Sequence, residues 1–332
     1  MPEFGRRQLL QVATGTLLAS GLGVTRSSAE VVITKGRAKG RYRVLDARNR
    51  PPVRGFQGLY ESAGRRVKAD SPHPGWRNLG PTAKTVGTPA FATPEAFEIW
   101  MKELDAAGVD TVLANGRHQA GSEVMGTVST EEMVRLQARY PGKCWALAPV
   151  NLDQDMDLTL AEVEKALKAG LRGANLEPGY RAKGGPILVN DPALLPFYEY
   201  MSSTGKPVQI QTGAFAGPRL EQSRMEPYDD MLSKFPKLKV VLGHGGYPYH
   251  TEMLGCAFKH PNLHLTPDVY MFAPGSRVYQ DAIPRLPDQF IFGTAFPLGS
   301  IKETLAATLE FDLEPSVMRN YLYNNAARVL GL

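Results

Sequence analysis

Several features that point directly to a function are missing from this 332-residue sequence. It has no tract of lysine and arginine, and its formal net charge is only +5, so we do not expect it to bind nucleic acid. It has neither a G-x-G-x-x-G sequence nor a P-loop, which are phosphate-binding turns of nucleotide-binding folds. Beyond Val24 no segment approaches the roughly 18 apolar residues of a membrane span, so we expect no integral membrane segment in the mature protein.

Cysteine is also scarce, since Cys144 and Cys256 are the only two. They can pair only if their Cα atoms come within about 7 Å of each other, which sequence spacing does not show. We predict two buried thiols rather than a disulfide.

The N-terminus is typical of an export signal. A twin-arginine start, Gly5-Arg6-Arg7-Gln8-Leu9-Leu10, is followed by an apolar run to about Val24 and by Ser27-Ser28-Ala29, whose small residues suit cleavage before Glu30. We therefore predict that residues 1–29 are a signal peptide and that residues 30–332 form a domain in the periplasm or outside the cell. Removing three arginines and one glutamate lowers the net charge from +5 to +3.

Eight short apolar or β-branched runs alternate with helical patterns in the remaining chain. The runs predict strands at Tyr42–Asp46, Thr111–Asn115, Cys144–Val150, Gly173–Glu177, Val208–Gln211, Lys239–Gly243, Leu263–Thr266 and Phe290–Gly293. Helices are predicted to start at Thr93-Pro94, Ser129-Thr130 and Asp191-Pro192, and to cover Leu160–Ala169, Tyr249–Lys259 and Ile301–Leu309. Eight βα units predict an α/β fold, a (β/α)8 TIM barrel, whose active site lies at the carboxyl ends of the strands.

A long connection rich in proline, glycine and arginine, residues 50–92, follows the first predicted strand and contains His73 and Trp76. A loop of this length in a compact domain is usually functional or disordered. We expect it to form a lid or a wall of the active site. A surface excursion or a subunit contact in a homo-oligomer is the alternative.

Four segments resemble the amidohydrolase-2 group, which contains aminocarboxymuconate-semialdehyde decarboxylase and 2-pyrone-4,6-dicarboxylate lactonase. Lys206-Pro-Val-Gln-Ile-Gln211 resembles the fifth strand of that barrel, Val240-Val-Leu-Gly-His244-Gly-Gly-Tyr-Pro the sixth, and Ile291-Phe-Gly293-Thr-Ala295-Phe-Pro297 the eighth. The closing helix of the group is similar to Asn324–Leu332. The resemblance covers roughly residues 40–332 and is most specific in the second half.

The resemblance places the metal-binding positions of the group on Arg48, Arg50, Gln211, His244 and Ala295. Where such a barrel carries Asp-x-His-x-His, this chain has Asp46-Ala-Arg48-Asn-Arg50. A guanidinium keeps its proton near neutral pH and cannot ligate a divalent metal, which leaves His244 as the one metal-competent side chain.

A tight zinc site uses about three protein ligands, and Glu177 after the fourth strand could add only one more. We therefore predict no catalytic metal and no other cofactor. His73 and His118 leave a different metal site open.

Arg48 and Arg50 could take over part of the work of a metal. Residues i and i+2 of a strand point to the same side, so both should face the barrel mouth if the strand stays extended. Two guanidiniums suit a carboxylate, a lactone carbonyl or a developing oxyanion. Alternatively, they pair with Asp46, Glu177 or Asp268 in a buried ion network.

Proton transfer is assigned to His244 as the general base, with Asp268 after the seventh strand as a further acid–base candidate. Further side chains that follow the strands are predicted to contact the substrate: Asn115, Arg117, His118, Glu177, Gln211 and Tyr270. The predicted function is a metal-independent hydrolase, a lactonase or related C–O hydrolase, acting on a small anionic or oxygen-rich molecule. The pyrone-dicarboxylate lactonases of the resembled group are described as working without a metal. A decarboxylase, lyase or hydratase on the same barrel, and a non-catalytic periplasmic binding protein, are the alternatives.

Overall fold

The computed structural model describes residues 12–14, 29–33, 37–60, 93–120 and 126–332. Three short strands, β1 (Val12–Thr14), β2 (Ala29–Ile33) and β3 (Gly40–Tyr42), form an antiparallel sheet. Seven parallel strands then form one sheet in the order of the chain: β4 (Leu45–Asn49), β5 (Thr111–Asn115), β6 (Cys144–Pro149), β7 (Ala174–Leu176), β8 (Val208–Gln211), β9 (Val240–Gly243) and β10 (Leu263–Thr266). Each strand pairs with the next one along the chain, so the sheet curls into the predicted TIM barrel.

The segment 290–297 fills the eighth position of the barrel. Ile291 N donates to Leu265 O at 2.9 Å, and Ala47 N donates to Phe292 O at 3.0 Å, so the segment bonds to both of its neighbours. These contacts are isolated bridges and not a ladder, so the predicted strand Phe290–Gly293 has the right place but not regular strand structure. Left-handed backbone at Ala295 (φ 54°) interrupts the extended run.

Helices cover the outside of the barrel. They are α1 (Pro94–Ala107), α2 (Thr130–Arg139), α3 (Met156–Lys168), α4 (Leu195–Thr204), α5 (Glu226–Lys234), α6 (His250–Lys259), α7 (Arg277–Ala282), α8 (Ile301–Thr308), α9 (Pro315–Arg319) and α10 (Asn325–Leu330). The predicted caps are confirmed: the Thr93 side chain accepts from Ala96 N, and Ser129 and Glu132 form a capping box. The Asp191-Pro192 start opens a short 3-10 turn before α4.

The first predicted strand, Tyr42–Asp46, is displaced in the structure. Tyr42 ends β3 and pairs with Val31, and its hydroxyl donates to Ala38 O at 2.6 Å, so it belongs to the small sheet. The barrel strand β4 therefore begins later, at Leu45. This shift brings both arginines to the carboxyl end of β4.

Some predictions fall on parts of the chain that are not described. Residues 1–11 and 15–28 of the predicted signal peptide are outside the described residues. Its described part, β1 and the start of β2, forms an antiparallel pair. Export stays a prediction. Residues 61–92, with His73 and Trp76, are also outside them. Both cysteines are buried and free, as predicted. None of the helices in the described ranges is both long and apolar enough to cross a membrane.

Candidate active site

A bulge in β4 directs Arg48 into the barrel. The pairing of β4 with β5 shifts register between Asp46 and Asn49. Ala47 packs with Leu113 in an apolar cluster, and the very next side chain, Arg48, is also fully buried among residues of the barrel mouth. In a regular strand two successive side chains point to opposite faces, so the bulge allows both to face inward.

Two glycines make room for the Arg48 side chain. A Cβ at Gly243 would lie 2.5 Å from Arg48 Cζ, and a Cβ at Gly293 would lie 2.8 Å from Arg48 Cβ. Both are far inside normal van der Waals contact. Any larger residue at either position would push the guanidinium out of its place.

The guanidinium of Arg48 lies against three side chains that end or directly follow three strands. Its Nη2 donates to Gln211 Oε1 at 2.5 Å and lies 3.1 Å from His244 Nε2. Its Nε is 3.4 Å from Asp268 Oδ2, an ion pair between two fully buried groups. The side chains at the carboxyl ends of β4, β8, β9 and β10 are therefore joined into one polar network.

Asp268 fixes the tautomer of His244. His244 Nδ1 lies 2.7 Å from Asp268 Oδ1, and His244 N donates to Asp268 Oδ2 at 3.2 Å. A carboxylate can only accept, so Nδ1 carries the proton and Nε2 offers a lone pair. A guanidinium can only donate, so the lone pair of Nε2 accepts from Arg48.

The electrostatic environment keeps His244 neutral. Burial, above all, lowers the pKa of His244, Asp268 opposes this, and Arg48 and Arg50 add to the lowering, so that the pKa lies at about 4. Burial also lowers the pKa of the Arg48 guanidinium, and the carboxylates of Asp268 and Glu177 oppose this shift. A neutral imidazole with a directed lone pair is the form that a general base requires.

Three non-glycine residues of the described chain have a positive φ, and all three lie at the carboxyl ends of barrel strands. They are His244 (φ 68°), Asp268 (φ 46°) and Ala295 (φ 54°). Such conformations cost on the order of 1–3 kcal/mol each and concentrate at functional sites. The strained backbone holds the imidazole and its carboxylate partner in place.

Glu177 is held in a second cluster next to the first. It accepts from Arg117 Nε at 3.2 Å and from Asn175 Nδ2 at 2.9 Å, and it also accepts from Gln119. With its oxygens already occupied, Glu177 positions Arg117.

Arg50 carries a buried charge with an incomplete set of partners. Its side chain is buried, and its Nη1 has no hydrogen-bond partner among the described residues. The same holds for Arg48 Nη1. Burial lowers the pKa of Arg50 well below its usual value, Arg48 and Arg117 lower it further, and Glu177 and Asp268 oppose them.

Three arginines thus face two carboxylates, those of Glu177 and Asp268, with His244 neutral. Asp46 forms no ion pair with these arginines: its carboxylate accepts from Thr294 N and Asn49 Nδ2, and burial raises its pKa. An uncompensated buried cation is costly unless an anion pairs with it. The mouth is therefore suited to a ligand with one negative charge.

The other residues predicted from the sequence lie in different parts of the structure. Asn115 lies deeper in the barrel, where its Nδ2 donates to Gln209 Oε1 at 2.5 Å. The ring of Tyr270 meets His244 edge-on, with 5.1 Å between ring centroids, and stacks on Tyr247 at 4.7 Å. Tyr270 thus forms a wall beside the imidazole.

His118 is separate from this group. Its Nε2 lies 3.2 Å from Asp153 Oδ2, in a cleft bordered by Asn151, Glu131 and Lys165. The structure does not bring it together with Arg48 and His244.

Asn175, Gln209 and Gln119 were missed by the sequence reasoning. Asn175 and Gln209 stand two residues before Glu177 and Gln211 on the same strands, so strand alternation could have identified both. Gln119 lies beyond the strand end, and no pattern in the sequence marks it.

The mouth does not fit a divalent metal. Two of the positions that carry ligands in the resembled group are guanidiniums here, and Arg48 occupies the free nitrogen of His244. Within the described ranges, no three His, Cys, Asp or Glu side chains at the mouth lie within ligand distance of one another.

The fold and the site define a TIM-barrel protein with a buried polar site at the carboxyl ends of its strands. The family model described as Amidohydrolase matches residues 67–332, so the chain belongs to the amidohydrolase family. This agrees with the resemblance seen in the sequence, and it makes the chain a member of a superfamily of enzymes. No curated protein is similar enough in sequence to be matched with it.

Among solved structures, an uncharacterized TIM-barrel protein from Bordetella bronchiseptica is 31% identical, with a TM-score of 0.75 over 87% of this chain and 98% of that one. The 2,6-dihydroxybenzoate decarboxylase from Rhizobium is 15% identical, with a TM-score of 0.62 over 87% and 99% of the two chains. The 5-carboxyvanillate decarboxylase from Novosphingobium aromaticivorans, complexed with manganese, is 12% identical, with a TM-score of 0.58 over 88% and 96%. At such identities the two decarboxylases show a shared fold only.

Proposed function

We propose that this protein is a metal-independent hydrolase that opens a lactone or a related C–O ester bond in a small monoanionic substrate. The observation that carries the proposal is the buried pair of arginines beside a neutral His–Asp dyad. The arginines provide unpaired donors for an anion, and the dyad provides a base.

The anion site is formed by Arg50 together with Arg48. Each has an Nη1 nitrogen that lacks a hydrogen-bond partner among the described residues, and each is fully buried. Charge-assisted hydrogen bonds to a carboxylate would supply the missing partners. Bidentate contact with the planar guanidinium would also orient the substrate.

In the proposed reaction, His244 Nε2 takes a proton from water while Asp268 holds the proton on Nδ1. The hydroxide adds to the carbonyl carbon, and the C–O bond to the leaving alkoxide breaks. The imidazolium then returns the proton to the alkoxide. Gln211 Oε1 already accepts from Arg48, so its Nε2 is the group that can donate to the oxyanion.

Arg48 must move for this reaction to start, because its Nη2 lies on the lone pair of His244. An anion that pairs with the guanidinium would draw it away from the imidazole. Binding of the substrate would then both fill the anion site and free the base.

Decarboxylation is the second candidate, and the same contact favours it. With Arg48 on Nε2, the site as described holds a carboxylate more readily than it activates water. Decarboxylation is also the reaction in the names of the two distant structural neighbours. In this case the arginines would bind the carboxylate that is lost.

The nature of the product separates the two candidates. The purified protein, treated with EDTA, is incubated with a panel of monoanionic lactones and, separately, of aromatic carboxylic acids. Hydrolysis gives a product heavier by one water with no release of carbon dioxide, while decarboxylation gives a lighter product and releases carbon dioxide. Turnover that is lost on chelation while the protein stays folded, and that zinc restores in Cys256→Ser as well as in the parent, would refute the metal-independent mechanism in either form.

The Arg48→Met variant tests the role of the arginine, and Arg43→Met is the matched control. Arg43 pairs with Asp110 away from the site, at 2.5 Å. We expect Arg48→Met to abolish turnover without unfolding the protein, and Arg43→Met to keep turnover. Ligand-dependent stabilisation without turnover on any substrate would instead support the binding-protein alternative.

A further inference from the structure

A second cluster of ligand-type side chains lies outside the barrel, between α5 and α6. Asp229 comes from α5, Cys256 from α6, and His260 from the residue that follows α6. One potential ligand atom from each residue lies within 4.8 Å of the other two. His260 Nε2 and Asp229 Oδ1 are already 2.6 Å apart.

The local backbone presents two of these side chains together. Cys256 and His260 are separated by one helical turn, and His260 N donates to Cys256 O at 2.9 Å. Gln289 Nε2 donates to Ala257 O at 2.7 Å and to His260 O at 3.0 Å, which fixes the end of the helix. Both the thiol and the imidazole are buried, while the Asp229 side chain is one-third exposed.

We propose that Asp229, Cys256 and His260 form a zinc-binding site that fastens α5 to α6, with water as the fourth ligand. One sulfur, one imidazole nitrogen and one carboxylate oxygen are the donor types that zinc prefers. Usual zinc–ligand distances place tetrahedral ligands about 3.5 Å from each other. To reach this spacing the three side chains would have to rotate, so that the sulfur moves in and the Asp229–His260 pair opens.

Lys259 competes with the metal. Its Nζ lies 2.7 Å from the same Asp229 oxygen, and its side chain is 58% exposed. An exposed ammonium can swing into solvent at little cost when a divalent ion takes the carboxylate. A thiolate and a carboxylate then neutralise the two charges of the ion.

This site is remote from the proposed chemistry. His260 follows α6 and precedes β10, so it lies near the amino ends of the strands, whereas His244 follows β9 at their carboxyl ends. The ion would therefore stabilise the fold and take no part in turnover. A metal found in the purified protein has to be assigned to one end of the barrel before it is called catalytic.

Cobalt is the probe for this site. Metal-free full-length protein is titrated with Co²⁺, and the near-ultraviolet absorption of a thiolate–cobalt bond is recorded, followed by displacement with Zn²⁺. We expect one ion per chain, a rise in the thermal midpoint, and loss of the absorption in Cys256→Ser. Cys144→Ser is the matched control and should bind as the parent does, because Cys144 is buried in β6 away from this group.

Two surface changes keep the test independent of folding defects. Asp229→Asn should weaken binding at least tenfold, whereas Lys259→Met should strengthen it by about two- to fivefold, since it removes an exposed competing ion pair. Absence of the absorption in the parent, or an unchanged absorption in Cys256→Ser, would overturn the proposal. Neither result tests the function proposed for the barrel mouth, because that function is tested by analysis of the product.

Discussion

Removing the guanidinium from His244 should raise the pKa of that imidazole. In the folded protein the pKa is lowered from 6.5 to about 4; burial is the main cause, and Arg48 is the cation that lowers the pKa most. The shift corresponds to about 3 kcal/mol against the protonated form. Arg48→Met removes a cation whose Nη2 lies 3.1 Å from Nε2, and it leaves Asp268 to pair with the imidazole alone.

The loss of the cation and the freed Asp268 carboxylate both raise the pKa of His244. A unit charge at about 4 Å contributes at most about 4 kcal/mol at an effective dielectric constant of 20. Burial remains in the variant, so the pKa should rise to about 5–6 and not return fully to that of a free histidine.

The titration is followed by NMR of the Cε1–H groups in protein labelled at histidine. The chain has only six histidines, and the signal of His244 is assigned from its absence in His244→Asn. Arg50→Met should give a smaller upward shift, because Arg50 lowers the pKa of His244 less than Arg48 does, and Arg43→Met should give none. An unchanged or lower pKa in Arg48→Met would refute the electrostatic reasoning and, with it, the contact that the mechanism depends on.

Other predictions concern stability and the fit of Arg48. Burial lowers the pKa values of His244 and His264 to about 4. As the pH falls, these histidines therefore take up protons in the unfolded state before they do so in the folded state. Each histidine should reduce the free energy of unfolding by up to about 3 kcal/mol between pH 6.5 and 4, and neither should reduce it further below pH 4. Urea unfolding at several pH values checks this, and His264→Leu should flatten the dependence; a curve that stays equally steep in the variant would contradict it. Gly243→Ala should abolish turnover and raise the pKa of His244, because the new Cβ would lie 2.5 Å from Arg48 Cζ. Gly255→Ala is the control, because a Cβ at this position meets nothing within 4 Å. It should keep turnover and stabilise the helix by about 0.5–1 kcal/mol. Equal loss of activity in both variants would contradict the steric argument.

The barrel was predictable because its signals are local. Helix caps such as Thr93 and the Ser129–Glu132 box, and apolar runs such as Val240–Gly243, are specified by neighbouring residues and appear where the sequence predicts them. The displacement of the first strand was not predictable, because Tyr42 pairs in an antiparallel sheet with residues earlier in the chain. Such a pairing depends on contacts between distant segments, which no local pattern contains.

For the site, the sequence by itself determined the chemical inventory. It placed two permanent cations and one histidine where the resembled barrels bind a metal, and it placed Asp268 after the seventh strand. The tertiary structure decided how they meet: a bulge in β4 turns Arg48 inward, missing side chains at Gly243 and Gly293 give it space, and left-handed backbone joins His244 to Asp268. Spacing along a chain fixes which side chains are available, but contacts across the barrel depend on strand register and on the volume left by other strands, which only the folded chain sets.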